Sequence, residues 1–430
     1  FGLCKARRSP LPSSRSKLKG GSQLPPPQAL TMPGWSASRF CKLCKWIVLA
    51  STTAASDSRR VEFEASKPRP LLIVFGDSLS DQGNVYDLTN QTEPHHRLYF
   101  QGRFTNALCW VDYLDHNVEG KAWEGAQWDV INYAYGGSTA CGPSALYVGT
   151  PPLAAQVRTY IQGQLPLKDK SLPPSVEATG TAGRVADIVI MAGGNDYIAK
   201  IIAATKSVVD NSKTMEEVHE NIKNALRLLP EQVVGCILEE LREILKVTKG
   251  GYSRRGGSPI PSHTVRSISI ASLPALEDTP LFRTMLMGSA GALEALSKAE
   301  SRHTQLLREG LQDLSAQDYP LLSLLDVNSL TQEFYSKAGE LGIVNVDDAC
   351  LQREARGSSG ADTTPCQSDA SEVPLRLNPS TPPPPAQLRG EFQGCCANPG
   401  QYFFYDNVHP SSTIHFHAAR YIRAFLEGII

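Results

Sequence analysis

Ser78 lies in the stretch Phe75-Gly-Asp-Ser-Leu-Ser-Asp81, directly after the apolar run Leu71-Leu72-Ile73-Val74. A small-residue turn at the carboxyl end of a buried strand is where open α/β sheets bind ligands. A serine hydroxyl there is a weak nucleophile unless a base takes its proton and donors hold the resulting oxyanion. Among the nine histidines, His409 stands out, because the run is Asp406-Asn407-Val408-His409-Pro410. In a turn entering a helix, that spacing lets the carboxylate reach Nδ1–H of the same imidazole and leaves Nε2 to face a hydroxyl. Taken alone, the run also reads as a plain helix N-terminus with a chance histidine. His415 and His417 lie inside the following helix with no nearby acid, and the pair His95-His96 sits in a polar loop.

Donors for an oxyanion are offered at two other places. Asn132-Tyr133-Ala134-Tyr135-Gly136-Gly137-Ser138 ends a second apolar run, and the Gly137 amide, beside no Cβ, can approach a ligand closely. Gly193-Gly194-Asn195-Asp196 ends a third, where the Asn195 side-chain amide can point across the sheet edge. Each alone reads equally as a strand-end turn or a helix cap. The four stretches together specify far more than any one of them.

The elements that must position these groups follow from periodicity. Five short runs rich in β-branched residues read as buried parallel strands: Leu71–Phe75, Val130–Ala134, Ala186–Met191, Val265–Ala271 and Leu321–Val327. Helical patterns fall between them at Ala107–Leu114, Leu153–Ile161 and Asp196–Val209. Met215–Val247 reads as a long helical region that Pro230 ends or kinks, since proline lacks the amide donor. Leu293 to Leu314 and Ser411–Leu426 give two more helices, with Pro410 in the first turn of the last. Strands alternating with helices predict a doubly wound, mostly parallel α/β sheet. Gly250–Ser262 and the Pro-rich stretch 353–390 interrupt this rhythm as loops.

The 430 residues carry 42 basic and 43 acidic side chains, a net charge of −1 that gives no support to nucleic-acid binding. No apolar run approaches the roughly 18 residues of a membrane span. Residues 1–31 are basic and Pro/Ser-rich, and read as an upstream extension. Residues 32–56 place Arg39, Lys42 and Lys45 before Trp46–Ala50 and then small residues, the order of a secretory signal peptide. The alternative is a disordered basic tail. Cys41-Lys-Leu-Cys44 falls in this leader and is not read as a metal site. Seven cysteines remain, Cys109, Cys141, Cys236, Cys350, Cys366, Cys395 and Cys396, so disulfides are permitted but one thiol is left over. Asn90-Gln-Thr is a glycosylation sequon.

With those blocks assembled, the chain resembles the GDSL, or SGNH, hydrolases over residues 69–430. The family's nucleophile block is matched by Gly76–Ser80, its oxyanion glycine block by Asn132–Gly137, its Gly-x-Asn-Asp block by Gly193–Asp196 and its Asp-x-x-His block by Asp406–His409. The glycine match can also be set one residue earlier, at Gly136. Asp81–Asn84, Gly102–Asn106 and Leu273–Leu276 are similar to the secreted fungal branch of acetylesterases and lysophospholipase-like members. The resemblance implies a three-layer α/β/α, flavodoxin-like fold with a five-stranded sheet. It implies Ser78 as nucleophile, His409 as base, Asp406 as its orienting acid, and Ser78 N–H, Gly137 N–H and the Asn195 amide as the oxyanion hole. It also implies a secreted, monomeric serine esterase that needs no metal or cofactor and deacetylates carbohydrate esters. A lipase or lysophospholipase is the alternative, and an inactive binding protein on the same fold is a third. Tyr99, Phe100, Phe104, Trp110, Trp123 and Trp128 are available to line either substrate site or the core.

Overall fold

A computed structural model describes residues 68–118, 127–144, 149–166, 183–209, 214–248, 263–286, 289–316, 321–351 and 396–430. The leader with its CxxC pair, Trp123, the stretches 250–262 and 353–390, Cys366 and Cys395 lie outside them. The described residues belong to the compact unit Pro68–Ile430.

The chain runs through β1 (Leu71–Gly76), α1 (Asn84–Leu88), α2 (Trp110–Leu114), β2 (Asp129–Asn132), α3 (Leu153–Ile161), β3 (Val185–Met191) and α4 (Gly194–Val209). It continues through α5 (Met215–Leu226), α6 (Leu229–Thr248), β4 (Thr264–Ala271), α7 (Pro280–Met285), α8 (Ala290–Ser315) and β5 (Leu322–Leu325). Then follow α9 (Val327–Ser336), β6 (Asn345–Ala349), β7 (Tyr402–Phe404) and α10 (Ser412–Leu426). Strands β1 to β5 form one all-parallel sheet in the order β2-β1-β3-β4-β5. That order is doubly wound and flavodoxin-like, with its switch point at β1 and β3.

Both faces of the sheet are covered, which is why the strands read as unbroken apolar runs. Leu71, Ile73, Phe75, Ile188 and Ile190 pack on the side of α3, α4, α5, α6 and α8. Leu72, Val74, Val189 and Met191 alternate to the other side, against Trp110 and Leu114 of α2 and Phe416, Ala419 and Ile422 of α10. The three layers follow from this period-two alternation.

Several boundaries differ from expectation, each for a local reason. β2 stops at Asn132, whose side chain turns back to accept from the Ala134 amide and donates to Ser80 O and Gln82 Oε1. α2 begins at Trp110 rather than Ala107, because Cys109 N–H is taken by Asp112. α4 begins at Gly194, before Asp196. The long helical region is broken before Pro230, between Leu226 and Leu229, and the proline sits within the first turn of α6, where its missing amide costs no helical bond. The fifth strand ends at Leu325. Asp326 then accepts from Ser329 N–H and caps α9, so Val327 opens a helix instead of closing a strand. Pro410 precedes the N-cap Ser411 and does not enter α10.

A small parallel pair, β6–β7, was not expected from the sequence. It packs Phe403 and Phe404 against Leu330 and Phe334 of α9 and Ile414 of α10, and carries the chain to Asp406. Disulfides join Cys141 to Cys236 and Cys350 to Cys396, and Cys109 is a buried free thiol. No helix among the described residues is long and apolar enough to cross a membrane.

Candidate active site

Because the strands are parallel, the loops after β1, β2 and β3 emerge at one edge of the sheet. β1 ends in Gly76, where a Cβ would lie 2.1 Å from the Met191 carbonyl oxygen of β3, so only glycine fits between these backbones. The chain then turns tightly. Asp77 Oδ1 accepts from Leu79 N–H, and Asp77 O accepts from the amides of Ser80 and Asp81. Ser78 sits in this turn, buried but bordering an open cavity.

The structure brings Ser78, His409 and Asp406 into a single line of hydrogen bonds. Ser78 Oγ lies 2.7 Å from His409 Nε2, across 331 residues of sequence. His409 Nδ1 lies 2.7 Å from Asp406 Oδ2. Asp406 Oδ1 accepts the amides of Val408 and His409, so the carboxylate also shapes the turn that carries His409. Tyr405 N–H closes that turn on His409 O. Thr105 hydroxyl donates to Pro410 O, while Asn106 bonds both the amide and the hydroxyl of Ser412. The Gly102–Asn106 stretch therefore fastens the His409 turn and the start of α10.

Electrostatics agree with this polarity. Burial opposes ionisation of Asp406, but the His409 charge and hydrogen bonds from His409 and Tyr99 outweigh it and bring its pKa to about 2. Burial disfavours the imidazolium of His409, yet the Asp406 charge and hydrogen bond prevail and raise it above 6.5. With Asp406 ionised, Nδ1 carries the imidazole proton and Nε2 is free to accept from the serine. Desolvation lifts Asp77 to about 7, against the Leu79 hydrogen bond and the His409 charge that pull it down.

Gly137 has φ 75° and a buried amide. Among the described residues, the amides of Ser78 and Gly137 donate to no protein acceptor, whereas buried backbone donors are nearly always paired. The Gly136 amide, the alternative position, is already committed to Asp81 Oδ2 at 2.8 Å. Asn195 Nδ2 donates to Ser138 O at 2.8 Å and has a second N–H to offer.

Sequence reasoning missed the groups that lock these loops together. The buried Asp81 carboxylate accepts from Gly83, Asn84, Val85 and Gly136 amides, joining the serine turn to the glycine turn. Asp196 accepts from the Ala140 and Cys141 amides. Gln156 pairs with both the amide and the carbonyl of Gly76 and reaches Ser138 Oγ. A side chain's partners at such separations leave no local sequence pattern.

The remaining candidates fall elsewhere. Tyr99 hydroxyl donates to Asp406 Oδ2, and Phe104 packs 5.3 Å from the His409 ring. Trp110 borders the cavity and donates to Ser80 Oγ, while Trp128 is core and donates to Asp187. Phe100 is half-buried beside Thr105. His415 is buried and its Nδ1 accepts from Trp110 N–H; His417 packs on Phe334; His95 and His96 stack on each other at the surface. Asn90 is exposed. No cluster of metal-binding side chains occurs among the described residues.

Beside Ser78 and His409 opens a cavity of about 110 Å³. Its walls are almost wholly apolar: Met191 and Leu273 from the sheet edge, Val327, Leu330 and Phe334 from α9, Phe403 from β7, and Ile414 and Ile422 from α10.

The GDSL-like lipase/acylhydrolase family matches residues 72–422, nearly all of the described unit. The chain belongs to that family. It is an ester-bond hydrolase. Over 396 residues it is 22% identical to the phosphatidylcholine-sterol acyltransferase of Aeromonas hydrophila, covering 89% of this chain and 97% of that protein. The secreted effector protein SseJ of Salmonella typhimurium is 35% identical over 94 residues, 19% of this chain and 21% of that one. Among solved structures, an extracellular lipase from Streptomyces rimosus is similar at 13% identity with a TM-score of 0.29, covering 60% of this chain and 81% of that one.

An imidazole must be neutral to accept a hydroxyl proton, and His409 is raised above 6.5. If His409 is the base for Ser78, kcat/KM is expected to fall by about tenfold per pH unit on the acid side. A pH–rate profile should place the midpoint of that limb above 6.5; a midpoint well below it contradicts the Asp406–His409 coupling.

Proposed function

We propose that this GDSL hydrolase cleaves esters of medium or long acyl chains through an acyl-Ser78 intermediate, as a lipase or lysophospholipase. The apolar cavity opening on Ser78 and His409 carries this reading. An apolar cavity walled by Met191, Leu273, Leu330 and Phe334 stabilises hydrocarbon, and each methylene buried is worth about 0.8 kcal/mol. An acetyl group would leave most of it empty. The name of the Aeromonas relative, which refers to a phosphatidylcholine, points to the same class of substrate.

In this proposal His409 Nε2 takes the Ser78 proton as Oγ attacks the acyl carbonyl. Asp406 holds the imidazole and stabilises its charged form. The unpaired amides of Ser78 and Gly137 and the second N–H of Asn195 receive the oxyanion. Collapse expels the alcohol, which leaves with the proton from His409. Water, deprotonated by the same imidazole, then attacks the acyl-serine, and Ser78 recovers its proton as the acid departs. The residues need no metal or cofactor for any of these steps.

Carbohydrate deacetylation is the competing reading, supported by the similarity of Asp81–Asn84 and Gly102–Asn106 to acetylesterases and by Phe104, an aromatic face beside His409. We also assign the hydrolase domain to residues 69–430, residues 32–56 to a secretory leader and the active form to a monomer. The two disulfides and the exposed sequon at Asn90 suit an oxidising, extracellular setting.

A panel of nitrophenyl esters separates the readings. Under the acyl-chain reading kcat/KM rises by about fourfold per added methylene until the cavity is filled; a maximum at acetate with a fall thereafter selects the deacetylase. Turnover absent across the panel would overturn both readings. Ser78→Ala should abolish turnover without altering the unfolding transition.

Asn195→Ala should lower kcat by about 10²–10³-fold with little change in KM. A change confined to KM would remove Asn195 from the oxyanion hole.

A further inference from the structure

Asp406 Oδ2 serves two donors. His409 Nδ1 reaches it at 2.7 Å, and so does the Tyr99 hydroxyl, from 307 residues away in sequence. The other oxygen is occupied by the amides of Val408 and His409. The charge on Oδ2 is thus divided between an imidazole and a phenol. The phenol is held in place from its own side: its ring meets Tyr405 edge-on at 5.6 Å and tilts against Phe104 at 6.1 Å. Tyr405 in turn donates its hydroxyl to the Leu98 carbonyl, fixing the residue before Tyr99. Leu98, Tyr99 and Tyr405 belong to one apolar cluster with Cys350 and Cys396.

We propose that Tyr99 is a positioning residue that sets the basicity of His409 by sharing Asp406 Oδ2 with it. The proposal rests on the Ser78–His409–Asp406 reading given above. A neutral donor stabilises a bare carboxylate more than one already compensated by an imidazolium. The Tyr99 hydrogen bond therefore favours the resting state, in which His409 is neutral, and lowers the proton affinity of the His–Asp pair. Without it, the carboxylate would hold the imidazolium more tightly, and the base would be blocked at higher pH. Other groups face the same pair: Asp77 in the serine turn, His415 on α10 and Tyr405 just past β7. Asp77 acts in the opposite direction to Tyr99, since its charge raises the proton affinity of His409. Tyr99→Phe leaves all three in place, so a displaced limb reports the hydroxyl.

The test is the pH dependence of kcat/KM in Tyr99→Phe. Its acid limb should move upward by about half a pH unit, and the His409 Nδ1 proton resonance should move downfield as the hydrogen bond to Asp406 strengthens. Tyr405→Phe loosens the same segment without removing a donor from Asp406, and its limb should stay where the wild-type limb lies. If the phenylalanine variant is not recovered folded, a fluorotyrosine at position 99, which keeps the ring and donates more strongly to Asp406, should move the limb downward; an unmoved limb there overturns the proposal. A limb that does not move in the Tyr99 variant, or moves equally in Tyr405→Phe, overturns the proposal. Ser78→Ala is assayed alongside: retained turnover there removes the Ser78–His409–Asp406 reading itself, whereas an inactive Ser78→Ala with an unmoved Tyr99→Phe limb removes only the role of Tyr99.

Discussion

One buried carboxylate holds the edge of the sheet together. Asp81 takes four backbone amides, three from the start of α1 and one from Gly136, and so clamps the serine turn to the glycine turn across 55 residues of sequence. A charge in that position would be costly without such partners. Once it is in place, Gly136 N–H is spent and Gly137 N–H is left over, and the backbone around Ser78 has a fixed direction. Asp196 and Gln156 extend the same device to the loops after β3 and β1. Parallel strands bring these loops to one edge, and the three polar side chains, Asp81 and Gln156 buried and Asp196 half-buried, hold them in register there.

His409 comes from outside the sheet and needs its own support. β7 delivers Asp406, the Asp406 carboxylate folds the turn onto itself, and Thr105 and Asn106 grip it from the far side. His409 is therefore positioned by its own turn and by a second, distant segment before it touches Ser78. Apolar surroundings complete the arrangement. The apolar wall of α9, β7 and α10 lies next to the Ser78–His409 contact, where a lower local dielectric strengthens each charge–charge and charge–dipole interaction. Polar fixation on one side and an apolar chamber on the other are what the proposed action on long-chain acyl esters would draw on.

Much of this was legible in the residues. The five sheet strands showed as apolar runs because both faces of a parallel sheet are buried, and Leu71–Phe75 has no polar position at all. The Asp406–His409 spacing was legible because acid and base lie in one turn. Where the reading failed, the signal was local and mixed. Leu321–Val327 runs apolar through Asp326, and only the cap on Ser329 shows that a helix has begun. β6 reads Asn-Val-Asp-Asp-Ala and β7 has three residues, so neither carries a strand pattern. Asp81, Asp196 and Gln156 looked like ordinary turn or helix residues because the bonds by which they join separate loops reach 55 to 80 residues along the chain. Tyr99 was visible as an aromatic, but not as the second donor to Asp406, for the same reason.

The central claim is that Ser78 is the atom that takes the acyl group. It is tested most directly by trapping with a long-chain alkyl phosphonate ester bearing a nitrophenolate leaving group, followed by peptide mass spectrometry. The account predicts one phosphonyl adduct, on the peptide containing Ser78, formed with release of one nitrophenolate and lost in both Ser78→Ala and His409→Ala. An adduct on another residue with Ser78 unmodified, or ester turnover persisting in Ser78→Ala, would contradict it.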